Sequence, residues 1–122
     1  MGLITRGAAL QIAAAHNASL DETGTVYVPN PGTGDFDQVA EGGTNLKCRL
    51  ATVQRRDRGN VERTEFSGTR ALAYHTSYTA MPNTAQVLIS GVRWNVEHDT
   101  QEWETAAGIA LFRRVTVVRA PA

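Results

Sequence analysis

A chain of 122 residues in which twelve Lys and Arg balance twelve Asp and Glu has room for one domain and little for a second. It carries no net field to draw it onto nucleic acid. Hydrophobic residues at 42% and charged residues at 20% allow a modest core and exclude a compositionally disordered chain. The single cysteine, Cys48, excludes an internal disulfide, so stability must come from the core or from contacts between chains.

Residues 3–16 are predicted to form a short helix. Leu3, Gly7, Leu10 and Ala14 recur at helical spacing, the alanines favour helix, and His16 and Asn17 suit its C-terminus. Its apolar stripe is thin, so it needs a surface to dock on. The run Ala8–Ala15 is mostly alanine and is broken by Gln11, which makes a poor secretion signal. Arg6 stands where a myristoylation motif beginning at Met1-Gly2 wants Ser or Thr. No run approaches the ~18 apolar residues of a membrane span.

Thr25–Val28, β-branched and aromatic, is predicted as a strand closed by Pro29. A turn-rich loop, Asn30 to Asp35, follows, with Phe36 and Val39 as isolated apolar anchors and Gly42-Gly43 at its end. Gly32-Thr33-Gly34 starts like a phosphate loop but lacks the later Gly and the Lys-Ser/Thr, which leaves a flexible loop. Asp35 and Asp37 are paired carboxylates within it, and turn chemistry accounts for them without catalysis.

From Asn45 the period is close to two. Leu46, Cys48 and Leu50 share one face, which makes Cys48 a small buried hydrophobe. Residues 55–60 read as a polar turn and Val61–Phe66 as a charged strand. Thr69–Tyr78 puts Leu72, Tyr74, Thr76 and Tyr78 on one face. Val87–Ile89, the Ser90-Gly91 turn and Arg93–His98 form a predicted hairpin with Trp94, Val96 and His98 on one face. The polar run His98–Glu104 is predicted as a loop exposing Trp103. The last strand, Ile109–Arg119, turns Ile109, Leu111, Val115 and Val117 inward. Arg113 breaks that alternation and suits a rim or a subunit contact. About six to seven short strands with regular turns predict a mainly β chain: a small antiparallel barrel or sandwich in residues 25–122, preceded by a helix and arm in residues 1–24.

The chemistry expected of these residues is contact, not catalysis. His16, His75 and His98 are far apart in the chain, and no metal-ligand spacing or nucleophile motif occurs, so no catalytic residue, metal or cofactor is expected. Arg55, Arg56, Arg58 and Arg63 form the strongest charge feature. They suit a solvated hairpin, salt bridges between subunits or phosphate contact, with Asp57, Glu62 and Glu65 interleaved and no aromatic to stack a base. Trp103 is the better interface candidate of the two tryptophans.

The order of features from residue 25 to 119 resembles the head-completion, or head–tail connector (stopper), proteins of long-tailed bacteriophages. The resemblance is carried by Thr25-Val26-Tyr27-Val28, the Pro/Gly/Asp loop, Leu46-Lys47-Cys48-Arg49-Leu50 and the charged hairpin through Arg63 and Glu65. Ala73-Tyr74-His75-Thr76-Ser77-Tyr78, Gln86–Ile89, Gly91–Val96 and a closing Val/Arg strand complete it. It implies a β-barrel in a homo-oligomeric ring of six or twelve copies at the virion neck, between the portal-bound adaptor and the tail, with loops that help close or gate the channel for packaged double-stranded DNA. It implies no catalytic residues, and the N-terminal helix has no counterpart in it. On this reading Asp35, Phe36, Asp37, Arg55, Arg56, Arg58, Arg63, Trp103 and Arg113 are interface or channel candidates. The alternatives are a tail-terminator or tail-tube ring protein, a nucleic-acid-binding barrel, and a small enzyme or ligand-binding barrel with a pocket lined by Trp94, Tyr74 or Trp103.

Overall fold

The computed structural model describes residues 4–52, 68–78 and 81–121. One helix, α1 (Arg6–Ala18), precedes seven strands: β1 (Glu22–Val28), β2 (Gln38–Val39), β3 (Leu46–Thr52), β4 (Thr69–Tyr74), β5 (Gln86–Ile89), β6 (Val92–Ala106) and β7 (Ile109–Arg119). Thr5 starts the helix by accepting the Ala8 N–H on its hydroxyl at 3.1 Å, the usual N-cap arrangement. The helix then runs through His16 and Asn17, which were expected to end it, because both side chains reach sideways to the barrel. His16 Nε2 donates to the Tyr74 carbonyl at 2.9 Å, and Asn17 and Thr76 exchange two hydrogen bonds of 3.0 and 3.1 Å.

All strand pairs are antiparallel. β1, β3, β4, β7, β6 and β5 follow one another in that order, and β1 pairs again with β5, so six strands close a barrel and β2 adds to β1. Closure removes the free edges that invite aggregation. β1 begins at Glu22, three positions ahead of Thr25, because its side chain extends the pairing: Glu22 Oε1 accepts the Leu50 N–H at 2.9 Å. β4 ends at Tyr74, short of the predicted Tyr78. There the chain turns, with His75 Nδ1 accepting the Ser77 N–H at 3.1 Å and the His75 carbonyl accepting the Tyr78 N–H at 3.0 Å.

The alternation of the sequence becomes the core. Val26, Leu46, Cys48, Leu72, Tyr74, Val87, Ile89, Trp94, Val115 and Val117 are buried in one cluster, each large side chain contributing roughly 1.5–3 kcal/mol when fully buried. Ser90 and Gly91 connect β5 to β6 with φ of 51° and 80°, as a two-residue hairpin that follows the strand twist requires.

The largest difference from the sequence reading lies at His98–Glu104, which is strand and not loop. β6 continues to Ala106 and returns as β7 through Ala107 and Gly108, whose φ values are 51° and 78°. The polar run does mark an irregularity. Between the pairs Glu97↔Thr116 and Glu102↔Arg114 the register shifts, a bulge that bends the ribbon. The Thr100 hydroxyl fills the gap by accepting the Thr116 N–H at 2.8 Å while donating to the Glu97 carbonyl at 2.7 Å.

Candidate functional site

The expected interface residues that are described fall into two groups at different places on the molecule. Asp35, Phe36 and Asp37 belong to the loop between β1 and β2. This loop is tied by its own hydrogen bonds: Asn30 N–H donates to the Asp35 carbonyl at 2.7 Å, Gly34 N–H to the Asn30 carbonyl at 2.7 Å and Gly32 N–H to Asn30 Oδ1 at 2.8 Å. The two carboxylates are exposed and Phe36 is half-buried, so the loop presents acid to solvent and does not enclose a proton-transfer pocket.

Arg93, on β6, pins this loop. Its Nη1 donates to the Phe36 carbonyl at 2.8 Å and to Gln86 Oε1 at 3.3 Å, and its guanidinium carbon lies 4.5 Å from the centroid of Tyr27. Replacing Arg93 with Met keeps the stem and removes the donors. Arg93→Met should lower stability by about 1–2 kcal/mol and speed proteolytic cleavage between residues 30 and 37. Urea unfolding and limited proteolysis measure both, and an unchanged cleavage rate would contradict the pinning role.

Trp103 and Arg113 form the second group. β5 pairs with β6 no further than Asn95, and β4 pairs with β7 no further than Arg114. The remainder of β6 and β7 therefore projects past the barrel as a two-stranded arm. Such a ribbon is marginal alone, and α1 supports it. The helix packs along β7, Ala9 and Ala13 are buried with Leu111, and Arg6 Nη1 donates to the Ala107 carbonyl at the arm's tip at 3.3 Å. Trp103 and Arg113 stand opposite each other in the register, the guanidinium carbon 6.0 Å from the indole centroid. Arg113 Nε also donates to the Thr76 carbonyl at 3.0 Å. Beside them Arg114 pairs with Glu102. Trp103 remains 55% exposed, which is unusual for a tryptophan. The other four arginine candidates, Arg55, Arg56, Arg58 and Arg63, lie outside the described residues.

The arm meets the barrel through Gln101, whose Oε1 accepts the Tyr74 hydroxyl at 3.3 Å and the Met81 N–H at 3.1 Å. Burial pushes the Tyr74 phenol above its ordinary range, with Arg113 opposing the shift, and burial alone raises Tyr78. Trp94 and Tyr74 are buried in the core, whereas Trp103 is exposed on the arm. Among the described residues, one open cleft of about 600 Å³ lies beside Glu41, Asn45, Lys47, His75 and Tyr78 and another of about 780 Å³ beside Glu97, His98 and Asp99, and none of Trp94, Tyr74 and Trp103 lines either. Among the described residues no group of three His, Cys, Asp or Glu is placed to hold a metal ion, and no helix is long and apolar enough to cross a membrane.

Sequence reasoning missed Arg93, Thr100 and Gln101, whose partners are distant in the chain or sit at an irregular register. It also missed that Leu10 and Ile12, at 49% and 43% exposure, face solvent. No family model, curated protein or solved structure matches this chain.

Proposed function

We propose that this chain is a structural subunit of a tailed-bacteriophage head–tail connector. In this reading six or twelve copies form a ring between the portal-bound adaptor and the tail and help close or gate the DNA channel. The observation that carries the reading is the arm of β6 and β7, which projects past a closed barrel and holds an exposed, arginine-stacked tryptophan at no benefit to the core. Central aromatics of this kind dominate the energetics of protein interfaces. The order of elements from Thr25 to Arg119, which carries the resemblance to the connector family, supports the same reading. The balance of charge suits a channel wall along which DNA must slide, since a strongly basic lining would retain it.

The test is assembly on the neighbouring rings. The full chain, mixed with the portal and adaptor proteins encoded in the same genome, should add to their ring in six or twelve copies by native mass spectrometry. A chain that stays monomeric with both partners present would overturn the proposal. Trp103→Ala should change stability by less than about 1 kcal/mol, because the side chain is mostly exposed, yet reduce ring loading at least tenfold. Full loading by this variant would remove the arm from the interface.

A further inference from the structure

The two edges of the arm are treated differently. β4 pairs with β7 no further than Arg114, and α1 takes up the place beside β7 that β4 leaves. His16 Nε2 donates to the carbonyl of Tyr74, the residue after the last pairing, and Ala9 and Ala13 are buried with Leu111. On the other side β6 pairs with β5 as far as Asn95, and the Val96 N–H donates to the Ala85 carbonyl at 3.1 Å. Among the described residues no strand pairs with the outer edge of β6 beyond that point.

The irregularities of the ribbon leave this edge straight at its far end. Between Glu97 and Glu102 the extra residues lie on β6, but between Glu104 and Thr105 the extra residue is Leu111 on β7. β6 therefore runs unbroken from Glu102 to Ala106. In an antiparallel ladder alternate residues turn both N–H and C=O away from the partner strand, so this stretch offers backbone donors and acceptors in a row. Natural sheets usually cover, bulge or shorten such an edge. Here Glu102, Trp103, Glu104 and Thr105 are all exposed.

The side chains say what the edge accepts. Glu102 and Glu104 share one face of β6 and Trp103 takes the other. A second copy, set antiparallel across a two-fold axis centred on residue 102, 103 or 104, would place Glu102 or Glu104 directly opposite another of these carboxylates. Like charges so placed repel, which closes the edge to itself. It is open to the opposite sign. Arg114 already pairs with Glu102, and its guanidinium carbon lies 4.9 Å from the Phe112 centroid. Glu104 forms no ion pair among the described residues. On the opposite face the Trp103 indole has Arg113 on its β7 side, and an apolar cross-strand neighbour suits its outer side.

We infer that the β6 edge from Glu102 to Ala106 takes up an extended segment of a partner protein as an added strand, with Lys or Arg opposite Glu104 and an apolar side chain beside Trp103. In this mode main-chain hydrogen bonds supply affinity and alternate side chains supply selectivity. The inference rests on the reading of the arm as a contact surface. It adds the kind of segment that meets the arm and how it is held.

Peptide binding tests it. A short capped peptide alternating Lys and Val, titrated into the full chain, should slow hydrogen exchange of backbone amides within residues 102–106. N-methylation of two adjacent central residues blocks both edges of the peptide and should weaken binding about tenfold. A peptide alternating Glu and Val should bind about tenfold more weakly, and Glu104→Lys, checked for folding by circular dichroism, should lower affinity for the Lys peptide about fivefold. Equal binding by the N-methylated peptide would overturn strand addition. Equal binding by the Glu peptide, or by Glu104→Lys, would overturn the charge assignment. Chains that load onto portal and adaptor while the Lys peptide leaves residues 102–106 unprotected would sink this inference and leave the connector reading standing. Protection of the arm in a chain that ignores both proteins would support strand addition and sink the connector role.

Discussion

Replacing Gly43 by alanine is expected to remove about 3 kcal/mol of stability, a large share of what a small domain possesses. Gly43 is buried in the turn that ties β2 to β1. Val26 N–H donates to the Gly43 carbonyl at 2.9 Å, Ala40 N–H to the Val26 carbonyl at 2.8 Å and Gly43 N–H to the Ala40 carbonyl at 2.8 Å. A methyl group at Gly43 would lie 2.9 Å from Val26 Cβ and 3.1 Å from each of the Ala40 and Val26 carbonyl oxygens. None of these is the mobile tip of a side chain, so relief requires backbone movement and the loss of at least one of the three hydrogen bonds. In urea the midpoint should fall by about 1–2 M with little change in slope. Gly7→Ala is the matched control. A methyl group there meets nothing within 4 Å, and alanine in a helix should raise stability by roughly 0.5–1 kcal/mol. Equal midpoints for Gly43→Ala and the parent chain would mean that the turn is not packed against Val26.

The readability of this fold followed burial. Leu46, Cys48 and Leu50, or Trp94 and Val96, alternate because one face of each strand meets the core, and that face is what periodicity records. Ser90-Gly91 announced its hairpin because glycine there relieves a positive φ. The second hairpin was hidden for two physical reasons. Ala107 adopts a positive φ that alanine seldom takes, so Ala107-Gly108 is a weak turn signal. The arm before it, His98–Glu104, lies beyond the barrel with both faces largely wet, so no alternation marks it as strand. At the candidate site Trp103 was legible because a tryptophan among acids has no apolar neighbours in sequence to bury it. The stacking of Arg113 on it follows from a register that depends on the bulge at 98–101, which composition does not specify. Arg93 reaches a carbonyl 57 residues away, and no local pattern encodes such a contact. The thin apolar stripe of α1 was read as needing a surface. That surface is the arm, reached through the small residues Ala9 and Ala13, which leaves the larger Leu10 and Ile12 outward.

Raising the pH from 7 to 10 is expected to cost the native chain about 2 kcal/mol more stability than it costs Cys48→Ala. Cys48 is fully buried on β3 between Glu22 of β1 and Tyr74 of β4 in the register. Burial, and after it the negative charges of Glu22 and Asp21, push its thiol up to about 12. In the unfolded chain the thiol has its ordinary value, roughly 8.5. Below that value both states hold the proton and the pair of titrations contributes fully. Above it the unfolded chain releases a proton that the folded chain keeps, so stability falls with rising pH at about 1.4 kcal/mol per unit until the folded thiol ionises. Tyr74 and Tyr78, also raised by burial, add losses of the same sign only above about pH 10. The window from 8.5 to 10 therefore isolates the cysteine. Cys48→Ala leaves a small cavity that lowers the whole curve, but it removes the slope in that window, and the slope is the readout. In urea unfolding series at pH 7, 8.5, 9.25 and 10, the two proteins should start offset and converge. Parallel curves would mean that water reaches the thiol, and the wall formed by β1, β3 and β4 around Cys48 would then be open in solution.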